Sequence, residues 1–233
     1  MMLCLLAAPG CDGGAEPGGS DDGAPPAACD EEQELSGEAT YYDADGTGNC
    51  SFEASPGDLM VAAMNEADYA GSGACGACAA IDGPAGRVVV RIVDRCPGCA
   101  PGDIDLAPEA FERIADLSAG RVPITWRYVA CEVDGPIVYR FKEGTNPFWT
   151  AIQVRNHRHA IASLEARLAG GGWEAVPREN YNYFVEVDGL GEGPFDLRVT
   201  DVEGNALEDL EVVPGDGAQV AGQSQFPSCG DSP

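Results

Sequence analysis

The chain has 233 residues, with 39 acidic against 13 basic side chains and a formal net charge of −26. All the basic residues but Lys142 are arginines. Nucleic acid and acidic polymers bind through basic patches, so both are poor partners here and a neutral ligand is favoured.

In chain order, residues 1–11 are apolar and small and read as an export leader. The "APGC" ending at Cys11 resembles a lipobox, which leaves open plain cleavage and cleavage with acylation of Cys11. Residues 12–35 are rich in Gly, Ala, Pro, Asp and Glu, too poor in large apolar groups to continue a core, and read as a disordered acidic linker. No later segment approaches the ~18 to 20 apolar residues of a membrane span. The expected location is outside the cell, either secreted or anchored at the surface.

Residues 36–133 read as one domain, cysteine-rich, glycine-rich and built of short strands. "RVVVRIV" at 87–93 and "PITWRYVAC" at 123–131 are rich in β-branched and aromatic residues. A helix is expected near Pro108, with Phe111, Ile114 and Ala115 on one face. Residues 137–228 read as a second domain of strands: "IVYRFKEG", "WTAIQVRN", "IASLEARL", "NYFVEV" and "FDLRVTD". Turns at 170–172 and 203–205 separate some of them, and an antiparallel sandwich satisfies such a run. Only residues 134–136 join the two parts, so the domains are expected to pack with little freedom. The fold class is all-β.

Beyond Cys4 and Cys11 the chain holds eight cysteines: Cys29, Cys50, Cys75, Cys78, Cys96, Cys99, Cys131 and Cys229. Cys75, Cys78, Cys96 and Cys99 have zinc-ligand spacing, but an even count in an exported chain favours disulfides. No metal and no cofactor is called for. His157 and His159 read as structural rather than ligating, as do Trp126 and Trp173.

Two places carry candidate chemistry. In "DRCPGCAPGDIDLAPEAF" at 94–111, Asp94 follows an apolar strand and Asp105 lies beyond a Pro/Gly turn. Paired carboxylates in one groove are the equipment of a glycosidase. The alternative is that Asp94 bonds loop amides and Asp105 caps the helix at Pro108; Asp103 reads as solvated. In "NPFWTAIQVRNH", Phe148 and Trp149 form with Tyr181 a candidate aromatic row for sugar rings, against the ordinary fate of such rings in a core.

The segments "GEATYYDADGTGNC", "CGAC", "VDRCPGCAPGDIDLAPEAF" and "YRFKEGTNPFWTAIQVRNH" resemble those of bacterial expansins. The resemblance implies a six-stranded double-psi β-barrel followed by an immunoglobulin-like β-sandwich that binds carbohydrate. It implies a polysaccharide-binding groove with Thr40, Tyr41, Asp94 and Asp105, the last matching an acid shared with inverting endoglucanases. It also implies a platform of Phe148, Trp149 and Tyr181 beside Lys142. Phe148 stands where relatives often carry Trp, and Cys96 where some carry Tyr. Disulfides Cys50–Cys75, Cys78–Cys131 and Cys96–Cys99 are implied by cysteine-bearing relatives, with Cys29–Cys229 following by elimination. The expected activity is non-hydrolytic loosening of cellulose or matrix glucan by a monomer. The alternatives are an endoglucanase or lytic transglycosylase with Asp105 as acid and Asp43 or Asp94 as base, and a passive wall-binding module of a surface lipoprotein.

Overall fold

The computed structural model describes residues 33–168 and 171–228. The leader, most of the linker, Cys11 and the Cys29–Cys229 pair lie outside the described residues. Strands β1 (Leu35–Tyr41), β2 (Val61–Asn65), β3 (Cys78–Gly83), β4 (Gly86–Cys96), β5 (Ile104–Leu106) and β6 (Val122–Val129) form a closed barrel in the order β1-β5-β2-β4-β3-β6. β1 pairs with β5 and β2 with β4 in parallel, and the other neighbours are antiparallel. β1 starts at Leu35, opposite Trp126, one residue inside the stretch read as linker.

The barrel closes around Ala39, Ile81, Ile92, Ile104 and Trp126, all nearly or wholly inaccessible. The Trp126 indole N–H donates to the Gly102 carbonyl at 2.8 Å, which removes the cost of burying that donor. Two backbones meet at the same place: a Cβ on Gly37 would sit 2.2 Å from the Gly102 oxygen, so only glycine permits the approach. The helix expected at Pro108 is a single turn, α2 (Pro108–Phe111), preceded by a short α1 (Glu66–Tyr69). Phe111, Ile114 and Ala115 are buried as the pattern requires.

The second unit contains β7 (Val138–Phe141), β8 (Thr150–Arg155), β9 (Ile161–Arg167), β10 (Glu174–Ala175), β11 (Phe184–Glu186), β12 (Phe195–Asp201), β13 (Ala206–Val212) and β14 (Gln219–Ala221). They form two four-stranded sheets, β10-β9-β12-β13 and β11-β8-β7-β14, around Tyr139, Phe141, Leu164, Phe184, Phe195 and Leu197. β12 shows the driving pattern: Phe195, Leu197, Val199 and Asp201 face inward and alternate with half-exposed residues. Buried Asp201 accepts from the amides of Glu203 and Asn205, which closes the turn at 203–205.

β8 joins the two units. Ile152 and Val154 enter the sandwich core, while Gln153, on the other face, is inaccessible because the barrel covers it. Its amide donates to the Cys50 carbonyl at 2.8 Å, and Arg155 reaches Glu53 at 2.6 Å. The Cys131 amide donates to the Arg158 carbonyl at 2.7 Å, and Ser72 Oγ to that of Glu179 at 2.7 Å. Disulfides Cys50–Cys75, Cys78–Cys131 and Cys96–Cys99 are present, all in the barrel and its exit. The two histidines are structural bonds: His157 Nδ1 lies 2.7 Å from the His159 carbonyl, and His159 Nε2 lies 3.0 Å from that of Pro227.

Candidate functional site

Strand register assembles the first half of the site. Thr40 on β1 is opposite Asp105 on β5, Asp105 is opposite Ala63 on β2, and Ala63 is opposite Asp94 on β4. Four strands thus carry one row, Thr40–Asp105–Ala63–Asp94, with a small side chain between the two acids. Asp94 reaches this row through a register shift. Ala62 faces Ile92 and Ala63 faces Asp94, so Val93 is the extra residue of a bulge. The sequence carries its trace, since Ile92 and Val93 are both buried and break the alternation that runs through β4.

Thr40 Oγ1 donates to Asp105 Oδ1 at 2.5 Å. Partial burial holds the Asp105 carboxyl above its usual pKa, and the Asp94 charge adds to this. The Thr40 bond and the Arg121 guanidinium pull the other way. Asp94 is differently placed: its Oδ1 accepts from the amides of Asn49 at 2.6 Å and Arg95 at 2.7 Å. The chain before Asn49 is pressed onto it, for a Cβ at Gly48 would come within 2.4 Å of the Asp94 side chain.

Three expectations change. Asp105 does not cap α2, whose N-cap is Ala107 without a side-chain bond; it lies within β5. Asp103 is not solvated, because Oδ1 accepts from the Glu38 amide at 2.8 Å and Oδ2 from the Ala100 amide at 3.2 Å, which fixes the turn before β5. Tyr41 does not join Thr40. Alternation along β1 turns it to the opposite face, where its ring lies 5.1 Å from Phe111 and its hydroxyl donates to the Leu117 carbonyl at 3.3 Å. The tyrosine facing the acids is Tyr42, two positions after Thr40, a spacing that could have revealed it. Its buried hydroxyl points at Asp94 without closing a bond of normal geometry, and burial with the charges of Asp94, Asp105 and Asp45 drives its pKa upward. Asp43 is exposed and bonds to nothing among the described residues.

The second half of the site lies on the sandwich. Trp149 and Tyr181 pack, half-buried, on Ala151, Tyr183 and Val185. The Tyr181 and Tyr183 ring centres are 6.0 Å apart, and Lys142 Nζ lies 4.9 Å from the Tyr183 ring centre. Tyr183 was not singled out in the sequence; its place two residues after Tyr181 was the available signal. A turn closed between Asn146 and Trp149 separates Trp149 from Phe148, which projects outward at 80% exposure. Neither ring belongs to the main core.

Asn49 links the halves. Its backbone N–H holds Asp94, while its side-chain amide donates to the Tyr69 hydroxyl at 2.8 Å and to the Asn180 carbonyl at 2.7 Å. The Tyr69 hydroxyl also donates to Asn180 O, at 2.9 Å. Asn180 directly precedes Tyr181, so a short bonded path runs from the barrel acids to the aromatic cluster. Among the described residues no cluster of metal-ligating side chains occurs.

Comparison with known proteins agrees with this geometry. A family profile described as lytic transglycolase matches residues 35–126, the barrel. Expansin-YoaJ of Bacillus subtilis is 36% identical over 181 residues, 74% of this chain and 77% of that protein. Expansin-like protein 2 of Dictyostelium discoideum is 35% identical over 206 residues, which span 82% of this chain and 50% of that longer protein. The crystal structure of the apo expansin of Clavibacter michiganensis superposes with a TM-score of 0.77 at 32% identity, covering 84% of this chain and 99% of the other. A variant of that expansin, crystallised with cellohexaose, gives a TM-score of 0.78. With its double-psi barrel and following β-sandwich, this chain belongs to the expansin family.

Proposed function

We propose that the chain is an extracellular wall-loosening protein that binds a neutral glucan along the barrel row and the aromatic platform and breaks no glycosidic bond. In this reading Thr40, Asp94 and Asp105 bond sugar hydroxyls, Trp149, Tyr181 and Phe148 supply apolar faces, and Lys142 lies beside them. Tyr41 contributes by holding α2 under the row rather than by touching sugar. Export through residues 1–11 delivers the protein, which is either released or held by an acyl chain on Cys11. The cellohexaose complex of the Clavibacter relative supports a cellulose-like ligand.

The observation that carries the reading is the state of Asp94. An inverting glycosidase needs one protonated acid and one free carboxylate that orients water. The raised pKa of Asp105 suits the acid, but Asp94 Oδ1 is already occupied by two backbone amides. Loosening then works as differential binding: a glucan held in a shape that fits its crystal neighbours poorly detaches from them more readily.

The test combines creep of cellulose paper under load with reducing-end release and a cellulose pull-down. Creep without product, lost in Asp105→Asn while binding persists and lost with binding in Trp149→Ala, is expected. Sustained product release that disappears in Asp105→Asn would make the protein an endoglucanase or lytic transglycosylase. Cellulose binding without creep, unchanged in Asp105→Asn, would reduce it to a passive wall-binding module.

A further inference from the structure

A second cavity lies between the two units and shares no residue with the acid row or the aromatic platform. It has a volume of about 430 Å3, with Ala74, Ala77 and Val129 from the barrel facing Ile161, Ala162 and Val202 from the sandwich. That volume falls within the roughly 300–1,000 Å3 typical of small-molecule sites. Its walls are mostly apolar, and the one strong cation among its lining residues is Arg178.

Arg158 donates to the Phe226 carbonyl rather than to a carboxylate, while half-buried Arg155 pairs with Glu53, Arg167 with Asp196, and Arg198 with Glu165 and Glu208. Arg178 instead donates to the Ile161 carbonyl and, at 3.2 Å, to Asn182 Oδ1, and stacks 5.0 Å from the Phe184 ring centre. Its Nε is buried with no partner. Burial pushes its pKa down to about 10, and the group of opposite polarity that acts on it is the phenol of Tyr69, itself driven upward by burial and therefore neutral. Asp68 also lines the cavity, but its Oδ2 is held by the Asn65 side chain at 2.6 Å and the Gly102 amide at 3.0 Å. Among the described residues no carboxylate bonds to this cation, which shares the cavity lining with a single acid, Asp68.

We propose that this interdomain cavity binds a small apolar monocarboxylate, its carboxylate against Arg178 and its apolar body between the barrel and sandwich walls. A half-buried cation without a bonded carboxylate is costly, and a ligand carboxylate supplies the opposite charge in a medium where the pairing is strong. One cation and apolar walls suit a monoanion; phosphate or sulfate would leave acceptors unbonded. Because both units line the cavity, an occupied site ties them together and favours one relative arrangement of the acid row and the platform.

Cinnamate, a flat monoanion, is the probe, and cinnamamide is its uncharged counterpart. Calorimetry and thermal melts of the full chain are expected to show saturable cinnamate binding and a melting point that rises with its concentration. Cinnamamide is expected to bind at least tenfold more weakly. Arg178→Met removes the charge, and Ala162→Phe fills the cavity from an exposed position with Arg178 intact, so the second variant decides should the first fail to fold. Loss of cinnamate binding in Ala162→Phe, together with loss in any folded Arg178→Met, supports the site. Absence of binding to the parent, equal affinity for the amide, or cinnamate binding that survives Ala162→Phe overturns it.

Discussion

Asn49→Ala separates the two halves of the binding face while leaving every sugar-facing side chain in place. The variant keeps the backbone N–H that holds Asp94 and loses the two side-chain bonds to Tyr69 and Asn180. Each neutral bond contributes about 1 kcal/mol net, and neither lost bond leaves a buried orphan, because Tyr69 and Asn180 remain bonded to each other. The expected loss is therefore about 1–2 kcal/mol, or roughly 2–8 °C in melting temperature for a chain of this size. Binding is predicted to respond to ligand length. Cellohexaose, long enough to lie on both surfaces, should bind about three- to tenfold more weakly, a change of about 0.7–1.4 kcal/mol. Cellobiose, confined to one surface, should be unaffected. Calorimetric melts and NMR titrations with both ligands measure the two effects. Equal losses for the two sugars, or a lower melting point with cellohexaose affinity intact, would refute the coupling of row and platform.

Burial holds the Asp105 pKa above its unfolded value, so between the two values the folded chain carries a proton that the unfolded chain lacks. The stability due to this group falls as pH rises through that window. Asp105→Asn should thus melt higher than the parent at neutral pH, with the advantage shrinking as pH falls through that window and gone below about 4; a parent that melts higher at neutral pH contradicts this. Trp149→Ala should weaken cellulose binding more than Phe148→Ala, since Trp149 belongs to the packed cluster and Phe148 stands alone. Binding isotherms that rank them the other way would move the platform to the Phe148 turn. Among the disulfides, Cys78–Cys131 spans 53 residues and Cys96–Cys99 only 3. Loop entropy puts their paired removal at about 4 and about 2 kcal/mol, so denaturant midpoints should order the Ser variants accordingly.

The β-branched run "RVVVRIV" and the strand-like "FDLRVTD" were enough to place β4 and β12. What pattern reading could not supply was register. The row that brings Thr40, Asp105 and Asp94 together depends on pairings between residues 31 to 65 positions apart and on one bulged residue, Val93. Tyr42 shares the face of Thr40 by alternation alone, so it was separable from Tyr41 without register. β13 and β14 carry no strand signal of their own: "ALEDLEV" leaves only Asp209 and Val212 buried, and β14 is three residues long, so neither presents a continuous apolar face. The inward Asp209 is tolerated because it accepts from the Tyr139 hydroxyl at 2.8 Å and from the Gln223 amide at 2.7 Å. Such partners lie too far along the chain to be read from a local window.

The barrel retains the spacing of a hydrolase. Asp105 and Asp94 flank a single strand, β2. Neighbouring strands are about 4.8 Å apart, so their Cα atoms lie roughly 10 Å from each other. Inverting carboxyl pairs stand roughly 6.5–9.5 Å apart. Spacing alone therefore permits hydrolysis, and the surroundings of Asp94 oppose it. The residues 48–49 backbone lies against this carboxylate, with two amide bonds on one oxygen and no room for so much as a methyl group at Gly48. Protein occupies that flank, where an activated water would need access. The same contact gives Asp94 another use, because the loop it fastens carries Asn49, and Asn49 carries the link to the platform. In the proposed reading, a carboxylate that braces the junction between the acid row and the aromatic cluster is withdrawn from catalysis by the bonds that make the brace. On this account Asp94→Ala, which removes the acceptor of both amides, should lower cellohexaose affinity, while Asp94→Asn, whose side-chain oxygen still accepts them, should retain more of it, and neither should change product release. Product release by the parent that is lost in either variant would restore Asp94 as a base.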